Sequence, residues 1–167
     1  MARALPLPYW QDLYNQERTR LLGALGALTE GGIVEGVAHI GATSMVGLPG
    51  QPVVDIGLAV WPFPLDPARR AALEALGYTL LPGGEETQQR FEHASQPFGL
   101  FVTAVGSQRW SDYLLLRDYL AHDEPARRRY ATQKQAWAEL DAAARRAAKA
   151  GWRREALASA QAWWIGH

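Results

Sequence analysis

The sequence has 167 residues, with 17 basic side chains, 17 acidic side chains, four histidines and no cysteine. This length suits one ordinary domain with its own core, and the balanced charge gives no field that would attract nucleic acid or an anionic membrane. The lack of thiols excludes disulfides, thiolate metal sites and cysteine catalysis. The start, MARALPLPYW, lacks a secretory signal, and no apolar run nears the roughly 20 residues that span a bilayer. We therefore expect a cytoplasmic protein with neither a nucleic-acid nor a membrane partner.

The first half of the chain alternates helical and strand patterns. Residues 9–30 repeat apolar side chains at three- and four-residue steps, which predicts a helix. Residues 33–40 and 53–61 are short runs rich in valine and isoleucine, which predict strands. The second run is apolar on both faces except at Asp55, as expected of a strand in a sheet that is covered on both sides. Asp66 as an N-cap, followed by proline, predicts a helix over 66–77.

The second half completes a sheet and then turns helical. YTLL at 78–81 predicts a third strand, and RFEHAS at 90–95 is expected to pair with FGLFVTAV at 98–105 as a hairpin. From Ser107 onward we predict three helices, over residues 107–123, 124–151 and 152–166, with Gly151 ending the second. No repeat or linker interrupts this order. We predict one domain over residues 1–167, of the α+β class, with a small mixed β-sheet flanked by helices and a helical C-terminal third.

The stretch HIGATSMVGLPGQPVVDIGLAV, residues 39–60, joins two predicted strands through a glycine-rich turn. The backbone N–H groups that follow Gly41 and the hydroxyls of Thr43 and Ser44 would hold phosphate oxygens, and Asp55 would bind Mg²⁺. An ordinary turn, followed by a carboxylate that accepts backbone hydrogen bonds, explains the same residues. The turn is not a Walker loop, because no Gly-Lys-Ser/Thr follows it.

This stretch resembles the signature of the GrpB-like family, bacterial proteins of poorly defined function with a nucleotidyltransferase-type fold. The shared residues are His39, Ile40, Gly41, Thr43, Ser44, Gly47, Leu48, Pro52, Asp55 and Ile56. Further similarity lies in YWQDLYNQE near the start, in RF at 90 and 91, and in LRDYLAHDEPARRRYATQK at 116–134. The resemblance covers nearly the whole chain in order.

The resemblance implies a phosphate-binding turn followed by acidic residues. In active nucleotidyltransferases two or three carboxylates hold two Mg²⁺ ions, whereas the position two residues after Asp55 is Gly57. Ala42 removes a hydroxyl from the turn, Gln51 replaces the family's lysine, and Phe101 stands where the family tends to carry a histidine. These departures predict an eroded site in which Mg²⁺ is a doubtful cofactor and catalysis is weak or lost.

Two basic residues lie on apolar faces of the predicted C-terminal helices. Arg117 and Lys134 share helical spacing with tryptophan, tyrosine and leucine side chains, so both are expected to point inward. With Arg90 they would line an anion site above the sheet. Structural ion pairs, such as Arg117 with Asp55 or Glu92, explain the same pattern.

The other candidates have weaker signals. His39, at a strand end, is typical of a hydrogen-bonded core histidine more than of a base, and His93 would approach the cleft from its strand. The arginines of ARRR at 126–129 indicate a solvated helix face. The tryptophans of the last predicted helix, Trp152, Trp163 and Trp164, predict helix packing or a homodimer contact.

The preferred hypothesis is a protein that binds a phosphate-containing small molecule, a nucleotide or a coenzyme, in a cleft at the Gly41–Ser44 turn. Its ligand-binding residues would be Gly41, Thr43, Ser44, Arg90, Arg117 and Lys134, with Asp55 as the catalytic and metal-binding residue of the eroded site. One alternative is an active Mg²⁺-dependent transferase that recruits Glu92 or Asp112 as a further acid. Another is a non-catalytic interaction domain.

Asp55 itself carries a specific prediction. An ionised carboxylate on a buried strand needs a partner. We expect Asp55 to accept a hydrogen bond from the turn at residues 41–47, or to pair with Arg117 or Arg90. Asp55→Asn would then destabilise the fold by roughly 1 to 3 kcal/mol.

Overall fold

A computed structural model describes residues 7–26, 32–48 and 51–167, apart from the side chain of residue 33. Its helices are α1 (Leu7–Gly26), α2 (Pro67–Ala75), α3 (Gln108–His122), α4 (Glu124–Ala138) and α5 (Ala142–Ile165), with one 3₁₀ turn at Ala42–Ser44. Its strands are β1 (Ile33–Ile40), β2 (Val54–Trp61), β3 (Tyr78–Leu80), β4 (Gln89–His93) and β5 (Phe98–Ala104). The strands form one mixed sheet in the order β1-β2-β5-β4-β3. The mixed sheet and the mostly helical C-terminal third confirm the predicted class.

The strand pairing brings three residues into one row across the sheet. β2 pairs antiparallel with β1 and parallel with β5, and β5 pairs antiparallel with β4 in the predicted hairpin. Asp55 lies opposite Gly99, and Gly99 lies opposite Glu92. Because residues in register share a face of a sheet, Asp55 and Glu92 project to the same side, with a glycine between them.

One face of the sheet is a continuous apolar core under α1 and α2. Helix α1 buries Leu21 and Leu25 against this face, and α2 buries Leu73. The strands contribute side chains that alternate with those of the other face, namely Val54, Ile56, Leu58, Val60, Phe91, Leu100 and Val102. Period-two alternation therefore assigns the apolar half of β2 and β5 to this layer.

The opposite face lies under α3, with α4 and α5 packed beside it. The indole of Trp110 lies directly on the sheet, since a Cβ placed on Gly36 or Gly57 would come within 2.5 or 3.0 Å of its ring atoms. A second apolar cluster joins these helices, and its buried members are Met45, Leu48, Tyr119, Leu120, Ala126 and Ala160. β2 is thus covered on both sides, as its sequence predicted.

The helix caps follow the sequence closely in most places. Asp66 caps α2 by accepting a hydrogen bond from the Arg69 N–H at 2.9 Å, and Ser107 caps α3 through the Trp110 N–H at 3.2 Å. The strands at 33–40 and 78–80 also lie where they were predicted. The predicted end of the first helix, residues 27–30, lies outside the described residues.

The predicted helix over 124–151 is wrong in its end. α4 stops at Ala138, and α5 begins at Ala142 and runs through Gly151. Asp141 caps α5 by accepting a hydrogen bond from the Ala144 N–H at 2.8 Å. Arg145 folds back to donate to the carbonyl oxygens of Trp137 and Leu140 at 3.0 and 2.8 Å, which satisfies the end of α4. The boundary between the two helices is therefore set by the Asp141 N-cap, and Gly151 lies inside α5.

The aromatic residues of the C-terminal helices pack mainly against one another. Trp152 stacks on Tyr130 with ring centroids 4.2 Å apart, and Trp163 lies beside Tyr119 at 5.9 Å. These contacts confirm the predicted packing role of both tryptophans, while Trp164 is exposed. Among the described residues, no helix is long and apolar enough to cross a bilayer.

Candidate functional site

Asp55 lies near the start of β2, on the face that carries the C-terminal helices. Its carboxylate rests against two glycines: a Cβ on Gly41 would come within 2.6 Å of Oδ2, and a Cβ on Gly99 within 3.1 Å of Oδ1. Gly41 has a φ of 73°, a conformation that glycine adopts without strain. The two glycines therefore make room for a half-buried carboxylate that any larger residue would displace.

The charges of three basic side chains act on this carboxylate. Burial raises the pKa of Asp55 to about 6, although the positive charges of Arg90, Lys134 and Lys149 act to lower it. The negative charge of Glu92 adds a smaller upward contribution to the pKa. The positive charges favour the ionised form of the carboxyl group, but burial disfavours that form more strongly, so the pKa rises.

The predicted partners of Asp55 are not found. No described residue donates a hydrogen bond to its carboxylate. Arg117 instead pairs with its neighbour Asp118, through Nε at 2.8 Å and Nη2 at 2.7 Å, and Arg90 lies 3.9 Å from Glu92. The predicted hydrogen bond or ion pair of Asp55 is therefore wrong for the described chain, because the turn directs its donors elsewhere. Asp55→Asn therefore leaves no described hydrogen-bond partner unsatisfied, so the predicted loss of stability has no structural basis.

The hydroxyls of the turn are used inside the turn. Ser44 Oγ donates to the Gly41 carbonyl at 2.6 Å, and Thr43 Oγ1 donates to the Val53 carbonyl at 3.1 Å. Because that hydroxyl has only one proton, the Nε2–H of His39 must donate to Thr43 Oγ1, 3.0 Å away. These bonds hold the turn against β2 and place Gly41 beside Asp55.

His39 is a core residue. It is buried, and its ring stacks on Tyr14 at a centroid distance of 4.9 Å. Burial, with a smaller contribution from the charge of Arg117, lowers the pKa of His39 to about 4, so the ring is neutral at pH 7. The charge of Arg117 also acts to lower the pKa of Tyr14, which burial raises. This places the Arg117 charge on the His39 side of the turn, and the structure does not bring it among the cations that act on Asp55.

Lys134 and Tyr130 form the wall of the site on α4. Lys134 Nζ lies 5.4 Å from the centroid of the Tyr130 ring, and both side chains are half-buried. Burial lowers the pKa of Lys134, the charge of Lys149 adds to this, and Asp55 opposes it. Burial raises the pKa of Tyr130 to about 12, with a smaller contribution from Asp55. The inward orientation predicted for Lys134 is thereby confirmed.

Aromatic rings extend the site along β5. The guanidinium of Arg90 lies 4.9 Å from the centroid of Phe101, and Phe101 meets Tyr113 edge to face at 5.9 Å. Arg153 of α5 lies over the other ring of this pair, 4.9 Å from the Tyr113 centroid. We define the Asp55 cleft by Asp55, Arg90, Phe101, Tyr130, Lys134 and Lys149. Tyr113 and Arg153 extend it.

The residues around Asp55 do not fit a two-metal centre. In a transferase the second acid would stand two residues along the strand, but Gly57 is covered there by the Trp110 indole. No group of three or more His, Cys, Asp or Glu side chains suited to a metal ion occurs in the described part of the chain. One carboxylate cannot replace the hydration shells of two divalent ions. The arrangement around Asp55 therefore gives no basis for a metal-dependent step.

The other acids and histidines considered from the sequence lie elsewhere or at the margin. Asp112 accepts a hydrogen bond from Gln108 on the exposed side of α3, and Glu92 is exposed on β4. His93 donates from Nε2 to the Leu76 carbonyl at 2.9 Å and accepts at Nδ1 from the Gln96 N–H at 3.0 Å. His93 thus secures the hairpin turn and does not face the cleft.

Sequence reasoning missed Lys149 and Arg153. They are four residues apart on α5, hence on one helix face. Because Gly151 predicts a helix end, Lys149 and Arg153 fall in different predicted helices. The sequence pattern therefore does not indicate that they share one helix face. Gly151 tolerates the helix interior, since a Cβ built on it meets no atom within 4 Å. A continuous 3.6-residue pattern through this glycine is the signal that would have joined the two basic residues.

Comparison with known proteins places the chain. A family model described as GrpB protein matches residues 5–158. A UPF0157 protein of Streptomyces coelicolor is 34% identical over 76% of this chain and 64% of its own length. UPF0157 proteins of Pseudomonas aeruginosa and Halalkalibacterium halodurans are 36% and 30% identical, over 62% and 79% of this chain and 45% and 66% of their lengths. The chain thus spans less than two thirds of the length of these curated relatives.

A solved structure shows the same fold. The chain matches a crystal structure of the conserved protein GrpB from Enterococcus faecalis with a TM-score of 0.71, covering 94% of this chain and 96% of that one at 20% identity. Such an identity supports the fold alone. Together with the family match over most of the sequence, it leads to one conclusion: the chain belongs to the GrpB family.

Proposed function

We propose that this protein binds a phosphate-containing small molecule, a nucleotide or a coenzyme, in the Asp55 cleft, and that it catalyses little or no nucleotidyl transfer. The observation that carries the proposal is the Asp55 carboxylate, which is half-buried and within electrostatic reach of three cations yet accepts no hydrogen bond from the described residues. A buried polar group without a partner costs free energy. A ligand that donates to Asp55 would recover that cost.

The cations supply the affinity for phosphate. Lys134 is half-buried and Lys149 is exposed, so a phosphate bound by both would be partly shielded from water. Burial of Lys134 near a second lysine lowers its pKa, and a bound anion would act to raise it again. Phosphate contacts by positively charged donors are among the stronger hydrogen bonds in proteins.

The aromatic residues supply a surface for the rest of the ligand. Phe101 and Tyr130 flank the charged groups, each already beneath a cation. Flat rings of this kind stack on heterocycles. A ribose hydroxyl or an exocyclic amine would be the donor to Asp55, which gives the carboxylate a role without metal. Gly41 borders the same carboxylate, while Thr43 and Ser44 shape the turn that positions it.

Calorimetric titration with AMP, ADP, ATP and coenzyme A, in buffer that contains EDTA, tests the proposal. We expect at least one of them to bind with a Kd below a millimolar. Lys134→Met should weaken binding by about tenfold, the loss expected for one charge-assisted contact. Arg128→Met is the matched control, because Arg128 lies on the exposed side of the same helix and pairs with Glu124.

Two results would overturn the proposal. One is the absence of sub-millimolar binding for every compound. The other is binding that Lys134→Met leaves unchanged. Binding that requires Mg²⁺ and is lost in Asp55→Asn would favour the alternative of a metal-dependent transferase.

A further inference from the structure

We infer that Arg153 and Lys149 form a second anion subsite beside Asp55, and that the ligand carries two or more linked phosphate groups. This inference rests on the proposed function and names the chemical class of the ligand. Neither residue was a candidate from the sequence pattern, and the first phosphate position, between Lys134 and Lys149, does not involve Arg153.

The starting observation is a buried guanidinium nitrogen that lacks a hydrogen-bond partner among the described residues. This nitrogen is Nη2 of Arg153. Its guanidinium lies over Tyr113, 4.9 Å from the ring centroid. Stacking satisfies the flat face of arginine but not the N–H donors of Nη2. A buried N–H donor that lacks both water and an acceptor gains more than a solvated one when it meets an anion.

The second observation is the position of Arg153 relative to Lys149. The two residues are one turn apart on α5, and side chains at this spacing lie about 5 to 6 Å apart at Cβ. Lys149 is near enough to Asp55 and Lys134 for its charge to shift the pKa of both groups. These positions give the proposed line of positive charge, from Lys134 through Lys149 to Arg153.

A single phosphate would not use this line. It would be held by Lys134 and Lys149 and would leave the Arg153 donors as they are. A second phosphate, linked to the first, extends in the direction of Arg153, whose planar fork suits two oxygens of one phosphate group. Pyrophosphate, nucleoside diphosphates and nucleoside triphosphates share this chemistry.

The test compares inorganic phosphate with inorganic pyrophosphate by calorimetry, with the full chain, at constant ionic strength and without divalent ions. We expect wild-type protein to bind pyrophosphate at least about tenfold more tightly than phosphate, beyond the effect of ionic strength on exposed charges. In Arg153→Gln this ratio should fall to about threefold or less, while the affinity for phosphate is unchanged. Arg154→Gln is the matched control, because Arg154 is the exposed neighbour on the same helix.

A wild-type ratio near one would overturn the inference, and this measurement needs no variant. A ratio that stays the same in Arg153→Gln would also overturn it. If that variant does not fold, Arg153→Lys keeps the charge and the stem but lacks the fork, and an undiminished ratio there counts against the inference. ADP and AMP distinguish the two levels of failure: if both bind equally well, only the subsite fails. If neither they nor ATP nor coenzyme A binds, the proposed function fails with it.

Discussion

The two faces of the sheet are built from the same strands but on different physical principles. Under α1 and α2, side chains such as Ile56 and Leu100 are fully buried in a continuous apolar layer. On the other face, the matching positions of β2 and β5 are Asp55, Gly57, Gly99 and Phe101, where small, charged and aromatic residues replace aliphatic ones. The comparison predicts that the apolar face contributes more to stability, and that the other face can hold groups that are costly to bury.

The largest difference between the faces should appear on truncation of neighbouring residues of β2. Ile56→Ala removes a fully buried side chain and should lower the free energy of unfolding by about 2 to 5 kcal/mol. Asp55→Ala, one residue away and on the opposite face, should cost far less, because its carboxylate has no described hydrogen-bond partner. Urea denaturation at pH 7 measures both. Similar losses from the two variants would contradict the division of roles.

The Trp110 contact gives a second test, directed at the missing acid. Gly57→Asp would drive a side chain into the indole, where even a Cβ lies 3.0 Å from a ring atom, so we expect a loss of about 1 to 3 kcal/mol. In a Trp110→Ala background the same change should cost at least about 1 kcal/mol less, since the two positions are in contact. A double-mutant cycle by denaturation measures this coupling. Additive effects would show that the indole does not exclude an acid there.

The pH dependence of stability should differ between the faces, beginning with Asp55. Its pKa is raised from 3.8 to about 6, so the folded state holds a proton that the unfolded state has released between these pH values. Wild-type stability must therefore fall as the pH rises through this window, by about 1 to 3 kcal/mol. Asp55→Asn should be more stable than wild type above pH 6, and the gap should close towards pH 4. Asp12→Asn, on the exposed side of α1, is the control.

His39, on the α1 side, should behave in the opposite way. Its pKa is lowered from 6.5 to about 4, so the folded state binds fewer protons than the unfolded state between these values. Stability must then fall as the pH drops below 6.5, by about 1 to 3 kcal/mol near pH 4. The two effects partly cancel in wild type, so His39→Gln should expose the Asp55 trend. Denaturation curves from pH 4 to 8 measure it, and a His39→Gln profile parallel to that of wild type would refute the assignment.

The smallest expected effect concerns the glycine inside α5. Gly151→Ala places a methyl group where no atom lies within 4 Å, inside a helix that glycine weakens. The variant should gain about 0.5 to 1 kcal/mol, with ligand binding unchanged. Thermal denaturation measures the gain. A loss of stability would mean that α5 needs the glycine at that point.

The elements that could be predicted from the sequence are those governed by local chemistry. The β1 strand, the hairpin across QPFG and the caps at Asp66 and Ser107 follow from alternation and from side chains that satisfy nearby N–H groups. The break before α5 was missed because its signal, Asp141 with Arg145 folded back, is weaker in sequence than a glycine. A glycine suggests a helix end but does not require one.

The site was predictable only in part, for reasons of distance along the chain. Asp55, Arg90 and Lys134 were selected from the sequence, and the structure brings their charges together. The same reasoning selects Arg117, but its guanidinium forms an ion pair with Asp118, the next residue in the sequence. The indole that covers Gly57 comes from a residue more than 50 positions later, and no local pattern reports such a contact. The resemblance to nucleotidyltransferases implied that a carboxylate was missing but could not show what had filled its place.

We propose that an anionic ligand binds to the Asp55 face of the sheet and not to the α1–α2 face. An amide NMR titration with pyrophosphate, in EDTA, tests it directly for a chain of 18.4 kDa. We expect saturable shifts at residues 41, 55, 90 and 99 and along α4 and α5 near Lys134 and Arg153. Signals from α1 and α2 should stay in place. Shifts confined to α1 and α2, or no saturable shift anywhere, would contradict the account.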